Sequence, residues 1–114
     1  MQFWHIIFYS LCSIFYNSLI YNILYTKVFY FYTYILLSLK GNKFYIGSTN
    51  NLKKRLIQHS HGQVIATKNR RYLKLIHYEY FINEKDAKAR EIFLKSGYGH
   101  QQLKEILKRT LSKI

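Results

Sequence analysis

The sequence predicts an α/β fold: a small, mostly antiparallel three-stranded sheet flanked by helices, in the order β-β-α-β-α-α, behind an apolar N-terminal extension. Three observations predict it. Residues 1–26 contain no Lys, Arg, Asp or Glu, and every charge lies from Lys27 onward, which divides the chain into an extension, 1–27, and a basic domain, 28–114. Three runs rich in aromatic and branched residues have the character of strands. The stretches after the second and third runs carry helix caps and apolar residues at helical spacing. At 114 residues with 49% hydrophobic residues, the chain is long enough for one packed domain.

The elements follow in order. FYFYTYILL at 29–37 is the first strand. Lys40-Gly41-Asn42 is a turn, and 43–47 is a short second strand, so the two form a hairpin. Asn50 or Asn51 caps the helix over 52–60. The stretch 61–71 is a basic loop or irregular helix. KLIHYEYF at 74–81 is the third strand. Asn83 caps a helix running to Lys95, with Asp86 at capping-box spacing. Gly97 and Gly99 end it. A last helix over 100–111 puts Leu103, Ile106, Leu107 and Leu111 on one face.

The extension, MQFWHIIFYSLCSIFYNSLIYNILYT, is long enough to span a bilayer, for which about 20 apolar residues suffice. Trp4, Tyr21 and Tyr25 lie towards its ends, as interfacial aromatics do, whereas Asn17, Ser18 and Asn22 each need a partner in lipid. A membrane-associated helix, a disordered or loosely packed extension and a mis-assigned start are all open. The corresponding locations are membrane-associated and cytoplasmic.

Lys and Arg number 18 against 5 Asp and Glu, a formal net charge of +13. Such an excess calls for a polyanionic partner, nucleic acid or an anionic membrane surface, and argues against an acidic-surface enzyme of small-molecule metabolism. The single cysteine, Cys12, excludes an internal disulfide and a thiolate zinc site within one chain.

Chemistry concentrates between Tyr34 and Glu91. Tyr34 and Tyr45 lie on the two arms of the hairpin, where aromatics are also needed simply for packing. Gly47 permits close backbone approach just after Tyr45. Arg55 and His59 share a helix face at i,i+4, and the guanidinium fork of Arg55 matches phosphate geometry. Glu91, one of 5 acidic residues, sits on a helix whose buried side includes Ala87 and Leu94. A functional carboxylate and an ion pair with Arg55 are its two readings. Lys53, Lys54, Lys68, Arg70, Arg71 and Lys74 are suited to line a track for a nucleic-acid backbone. His61, His77 and His100 are not spaced as a metal cluster, and His77 reads as ordinary sheet surface.

The ordered set TYI at 33–35, Tyr45-Ile46-Gly47, Arg55, His59 and Glu91 resembles the GIY-YIG nuclease superfamily. It is most similar to the small stand-alone proteins that look like the N-terminal nuclease domain of excinuclease C. The likeness covers about residues 31–108 and leaves out 1–26. It departs from the first motif where Tyr32-Thr33 stand in place of the usual glycine or small residue. It implies a metal-dependent endonuclease that hydrolyses phosphodiesters in DNA, with Mg²⁺ or Mn²⁺ on Glu91. Arg55 then clamps the phosphate. A motif tyrosine takes the proton of the attacking water, Tyr45 ahead of Tyr34, although an ordinary phenol near pH 10 must first be activated. His59 orients a tyrosine, touches phosphate or acts as the base. A domain this short has no attached module to read a long DNA site, so structured, nicked or branched DNA, or cutting with little sequence preference, is expected, and DNA repair, a mobile element and defence are all open as roles. RNA is not excluded. A non-catalytic nucleic-acid-binding module and a membrane-surface domain are the rival readings, and the first has no use for Glu91 in a basic groove.

Overall fold

The computed structural model describes residues 29–114, together with residue 14 and residues 17–20, which are helical. The expectations for the rest of the extension lie outside the described residues. Among those described, no helix is long and apolar enough to cross a membrane.

Strands β1 (Phe31–Ser38), β2 (Phe44–Thr49) and β3 (Leu73–Phe81) form one antiparallel sheet in the order β2-β1-β3. Central β1 is buried from Thr33 to Ser38, which suits its run of branched and aromatic residues. The hairpin turns through Gly41 and Asn42, whose φ values of 92° and 53° lie in the left-handed region that these two residue types tolerate best. Strand β2 runs two residues further than its sequence suggested, taking in Ser48 and Thr49.

Helix α1 (Leu52–Ser60) is capped by Asn51, whose side chain accepts from the Lys54 amide. Helix α2 (Glu84–Lys95) is capped by Asn83, which accepts from the Lys85 amide. Helix α3 (Gly97–Ile106) and the short α4 (Lys108–Leu111) close the chain. The loop 61–72 contains a single 3-10 turn over Lys68–Arg70.

Residues paired across a sheet point to the same side. One side gathers Ile35 and Ile46 against Leu94 of α2 and Leu103 of α3, with Leu107, to form the core. The Thr33 hydroxyl donates to the Ala87 carbonyl at 2.8 Å, tying α2 to the central strand and fixing where Glu91, one turn on, emerges. The other side carries Tyr32, Tyr34 and Leu36, paired with Thr49, Gly47 and Tyr45. Helix α1 lies across it.

The C-terminal helices differ from expectation in two ways. Gly97 and Gly99 do not end α2 in a loop: Ser96 ends it and at once caps α3, its side chain accepting from the Gly99 amide, so both glycines are helical. Ile106 is 51% exposed: the helix breaks at Leu107, and of the four expected residues Leu103 and Leu107 enter the core and Leu111 packs against it. Gly99 has a packing reason. A Cβ there would overlap the Phe93 carbonyl oxygen and lie 2.5 Å from the Leu94 Cα. Alanine in a helix normally stabilises, but here it forces α3 off the end of α2. Gly99→Ala is therefore expected to lower stability by about 1–3 kcal/mol in urea denaturation.

Candidate active site

The sheet face under α1 holds a directed chain of hydrogen bonds. Tyr34 is fully buried, and its ring lies over β2 so closely that a Cβ on Gly47 would stand 2.7 Å from the phenol oxygen. The glycine therefore sets where Tyr34 can lie. Arg55 Nε donates to the Tyr34 hydroxyl at 3.3 Å, and Nη1 donates to Gln58 at 3.2 Å. The Tyr34 hydroxyl is 2.8 Å from His59 Nε2, and His59 Nδ1 is 2.7 Å from the Thr67 hydroxyl. Thr67 in turn donates to the Val64 carbonyl at 3.5 Å.

One protonation pattern satisfies every link. Tyr34 accepts from Arg55 and donates to His59 Nε2, so the imidazole carries its proton on Nδ1 and donates to Thr67. Burial pushes the Tyr34 phenol up to about 12, against the pull of the Arg55 hydrogen bond. Burial, and then the charge of Arg55, push the His59 imidazole down to about 4. Both groups are thus neutral at pH 7, as the chain requires. His59 is 1% exposed with both ring nitrogens occupied, a geometry for positioning Tyr34 rather than for meeting a phosphate.

Stability should depend on pH through this buried imidazole. Its folded pKa lies below the ordinary 6.5, so the unfolded chain binds more protons between about pH 4 and 6.5. Stability is complete above pH 6.5 and falls as the pH drops through that window, by roughly 3 kcal/mol in all. Urea melts at pH 7.5 and pH 5 read this loss, and His59→Gln is expected to flatten it.

Tyr45 is the more accessible tyrosine. Its ring centroid lies 6.1 Å from that of Tyr34 and 4.9 Å from that of His59, and it is only partly buried. Arg55 is also partly buried, and its Nη2 has no hydrogen-bond partner among the described residues.

The acidic half of the site lies on the other side of β2. Ser48 follows Gly47 directly and points the opposite way, where its hydroxyl donates to Glu91 Oε2 at 2.5 Å. Lys95 Nζ lies 2.8 Å from Oε1 and Lys88 Nζ 3.4 Å from Oε2. Burial raises the Glu91 carboxyl, but the hydrogen bonds from Lys95 and Ser48 and the two ammonium charges outweigh it, so the net pKa is below the ordinary carboxylate value. Glu91 thus pairs with these two lysines and not with Arg55. β2 is an edge strand, and Gly47 and Ser48, consecutive in the chain, face its two sides.

The ordered tyrosines, arginine, histidine and glutamate of this sheet and its two helices have a counterpart among known proteins: the pattern of the GIY-YIG catalytic domain matches residues 30–104. This chain belongs to the GIY-YIG family. A UPF0213 protein of Clostridium perfringens is 36% identical over 81 residues, covering 70% of this chain and 86% of that protein. UPF0213 proteins of Pediococcus acidilactici and Staphylococcus haemolyticus are 37% and 35% identical over 79 residues each, covering 67% and 68% of this chain and 78% and 95% of theirs. The GIY-YIG domain thus accounts for most of each of these small relatives. No solved structure matches the chain significantly.

Around this GIY-YIG site the six basic residues divide by role. Lys53, Lys54, Lys68 and Lys74 are exposed. Arg70 and Arg71 also hold the loop together: Arg70 Nε donates to the Ala66 carbonyl and Arg71 Nη1 to the Ser60 carbonyl, each at 3.1 Å. Lys68 and Arg71, with Lys40, rim a cavity of about 840 Å³ whose wall includes His59, Leu36 and Leu56. Sequence reasoning missed Ser48 and Thr67 as site residues. Ser48 would have been found had β2 been carried two residues further, since alternation then turns it towards α2. His77 is not plain sheet surface: its Nε2 is buried without a hydrogen bond, 3.8 Å from Glu79.

Proposed function

We propose that this chain is a metal-dependent endonuclease that hydrolyses phosphodiester bonds in DNA. The observation that carries the reading is the directed chain Arg55–Tyr34–His59–Thr67, which fixes a guanidinium beside the accessible Tyr45. A merely structural Arg55 would have no need of a buried three-residue scaffold behind it.

Hydrolysis requires a water aligned with the phosphorus, a base for its proton, and compensation for charge on the phosphoryl oxygens. The free Nη2 edge of Arg55 suits a non-bridging oxygen. Tyr34 does not lose its proton near neutral pH and serves to orient Arg55. Tyr45, reachable by water, is the proton acceptor on this reading, acting as the phenolate after its own proton has passed to solvent, and His59 acts through Tyr34.

Glu91 fits a divalent cation of the Mg²⁺ or Mn²⁺ kind. It is ionised and reaches the surface, and the lysines that hold it have side chains more than half exposed, free to swing away. A single carboxylate suits ions that complete their shell with water and phosphate oxygens. No cluster of three or more acidic, histidine or cysteine ligands occurs among the described residues, so water and phosphate oxygens would have to supply the rest of the ion's shell. Such an ion would supply charge compensation at the phosphate and the leaving oxygen. Ser48 holds the carboxylate in place for it.

The test is cleavage of labelled single-stranded, duplex and branched DNA with and without Mg²⁺ or Mn²⁺. Cutting that appears with metal and stops in EDTA is expected. Tight binding with no cutting under either metal would contradict the proposal.

A further inference from the structure

The sheet face that carries Tyr34 does not stop at the site. Along the same register it continues as Tyr32, paired with Tyr80, while Tyr34 itself is paired with Tyr78. Beyond the edge of α1 these rings are uncovered: Tyr78 is 52% and Tyr80 60% exposed. They hold one another in fixed attitudes, Tyr30 edge-on to Tyr80 at 5.0 Å and Tyr32 tilted to Tyr78 at 6.2 Å. With Lys53 and Asn50 they line an open groove of about 660 Å³. Packing alone does not require four tyrosines on a solvent-facing strip, and an aromatic patch that stays exposed marks an interaction surface.

We infer that this strip is a stacking platform for the unpaired bases of a polynucleotide strand, leading that strand into the site. Three features favour this occupant. Rigid rings on a sheet present flat faces on which bases of any identity stack. The groove is bordered by Lys53, with Lys54 next to it, on a chain of net charge +13, which suits the backbone that accompanies those bases. The strip also shares its sheet face with Tyr34, the partner of Tyr78 in the register, and its groove is walled by Lys53 of the helix that carries Arg55. A duplex keeps its bases inside and gains nothing from the rings. The inference rests on the nuclease reading for its purpose and not for its test, which measures binding alone.

The experiment uses the full chain in EDTA, to withhold divalent metal, with fluorescent 20-nucleotide oligo(dT) and oligo(rU) and a duplex of equal length. Tyr78→Thr/Tyr80→Thr keeps strand-forming residues and removes the rings. Tyr78→Phe/Tyr80→Phe keeps the rings and removes the hydroxyls. The threonine variant is expected to weaken single-strand binding by about tenfold or more, the phenylalanine variant by less than about twofold, and duplex binding by less than about twofold in both. A loss on oligo(dT), oligo(rU) or both supports the platform and says which sugar it accepts. Unchanged single-strand binding by the threonine variant overturns it, as does an equal loss on duplex. If thermal melting shows the double variant unfolded, Tyr80→Thr alone, at the more exposed ring, carries the same comparison. Absence of cleavage by the parent chain would remove the nuclease reading and leave this binding result standing.

Discussion

Arg55→Ala is expected to reduce single-turnover cleavage by about 100- to 1000-fold, the usual effect of removing one positioned donor from a developing oxyanion. The fold should survive, because the side chain is only partly buried and its loss leaves Tyr34 still donating to His59. Binding of DNA in EDTA should weaken little, since one charge among 18 basic residues is lost. Arg55→Lys restores the charge but not the planar fork that reaches Tyr34 and a phosphate together, so it should recover only a small part of the rate. A rate for Arg55→Ala within about threefold of the parent would remove Arg55 from the chemistry, because so small a change is below what a single oxyanion contact contributes.

What the sequence revealed followed the range of the interactions involved. Strand and helix order, and the 52–60 helix to the residue, rest on local alternation, caps and turn chemistry, all visible in short windows. The pairing of Arg55 with His59 on one helix face was equally local. In a short window Gly97 and Gly99 read as breakers, whereas Gly99 lets α3 touch the end of α2, a tertiary constraint. Thr67 and Ser48 depended on partners across a loop and across the sheet, which no local spacing reveals. The ion pair imagined between Arg55 and Glu91 overlooked Lys88 and Lys95, three residues before and four after Glu91 on its own helix. That spacing was readable and would have given the correct partners.

The second large effect is expected at Glu91. In Glu91→Gln the Ser48 hydroxyl keeps an acceptor and the two lysines return to solvent, so the fold should be retained with little change in stability. The variant loses the negative charge on which a divalent cation would depend. A chain of net charge +13 that sheds one of its few acidic groups should bind DNA in EDTA as tightly as before, or more tightly. Cleavage, on the other hand, should fall by about 1000-fold or more if the ion supplies several kcal/mol of charge stabilisation. Opposite movements of binding and rate distinguish a catalytic carboxylate from a structural one, for which both would fall together as the domain loosens.

The most direct measurement is the single-turnover rate of DNA cleavage as a function of Mg²⁺ concentration, for the parent chain and Glu91→Gln in parallel. A parent rate that rises and saturates with Mg²⁺, beside a variant that binds DNA and stays inactive at every concentration, is the predicted result. A variant that cuts with the parent's rate and the parent's Mg²⁺ dependence would contradict the account.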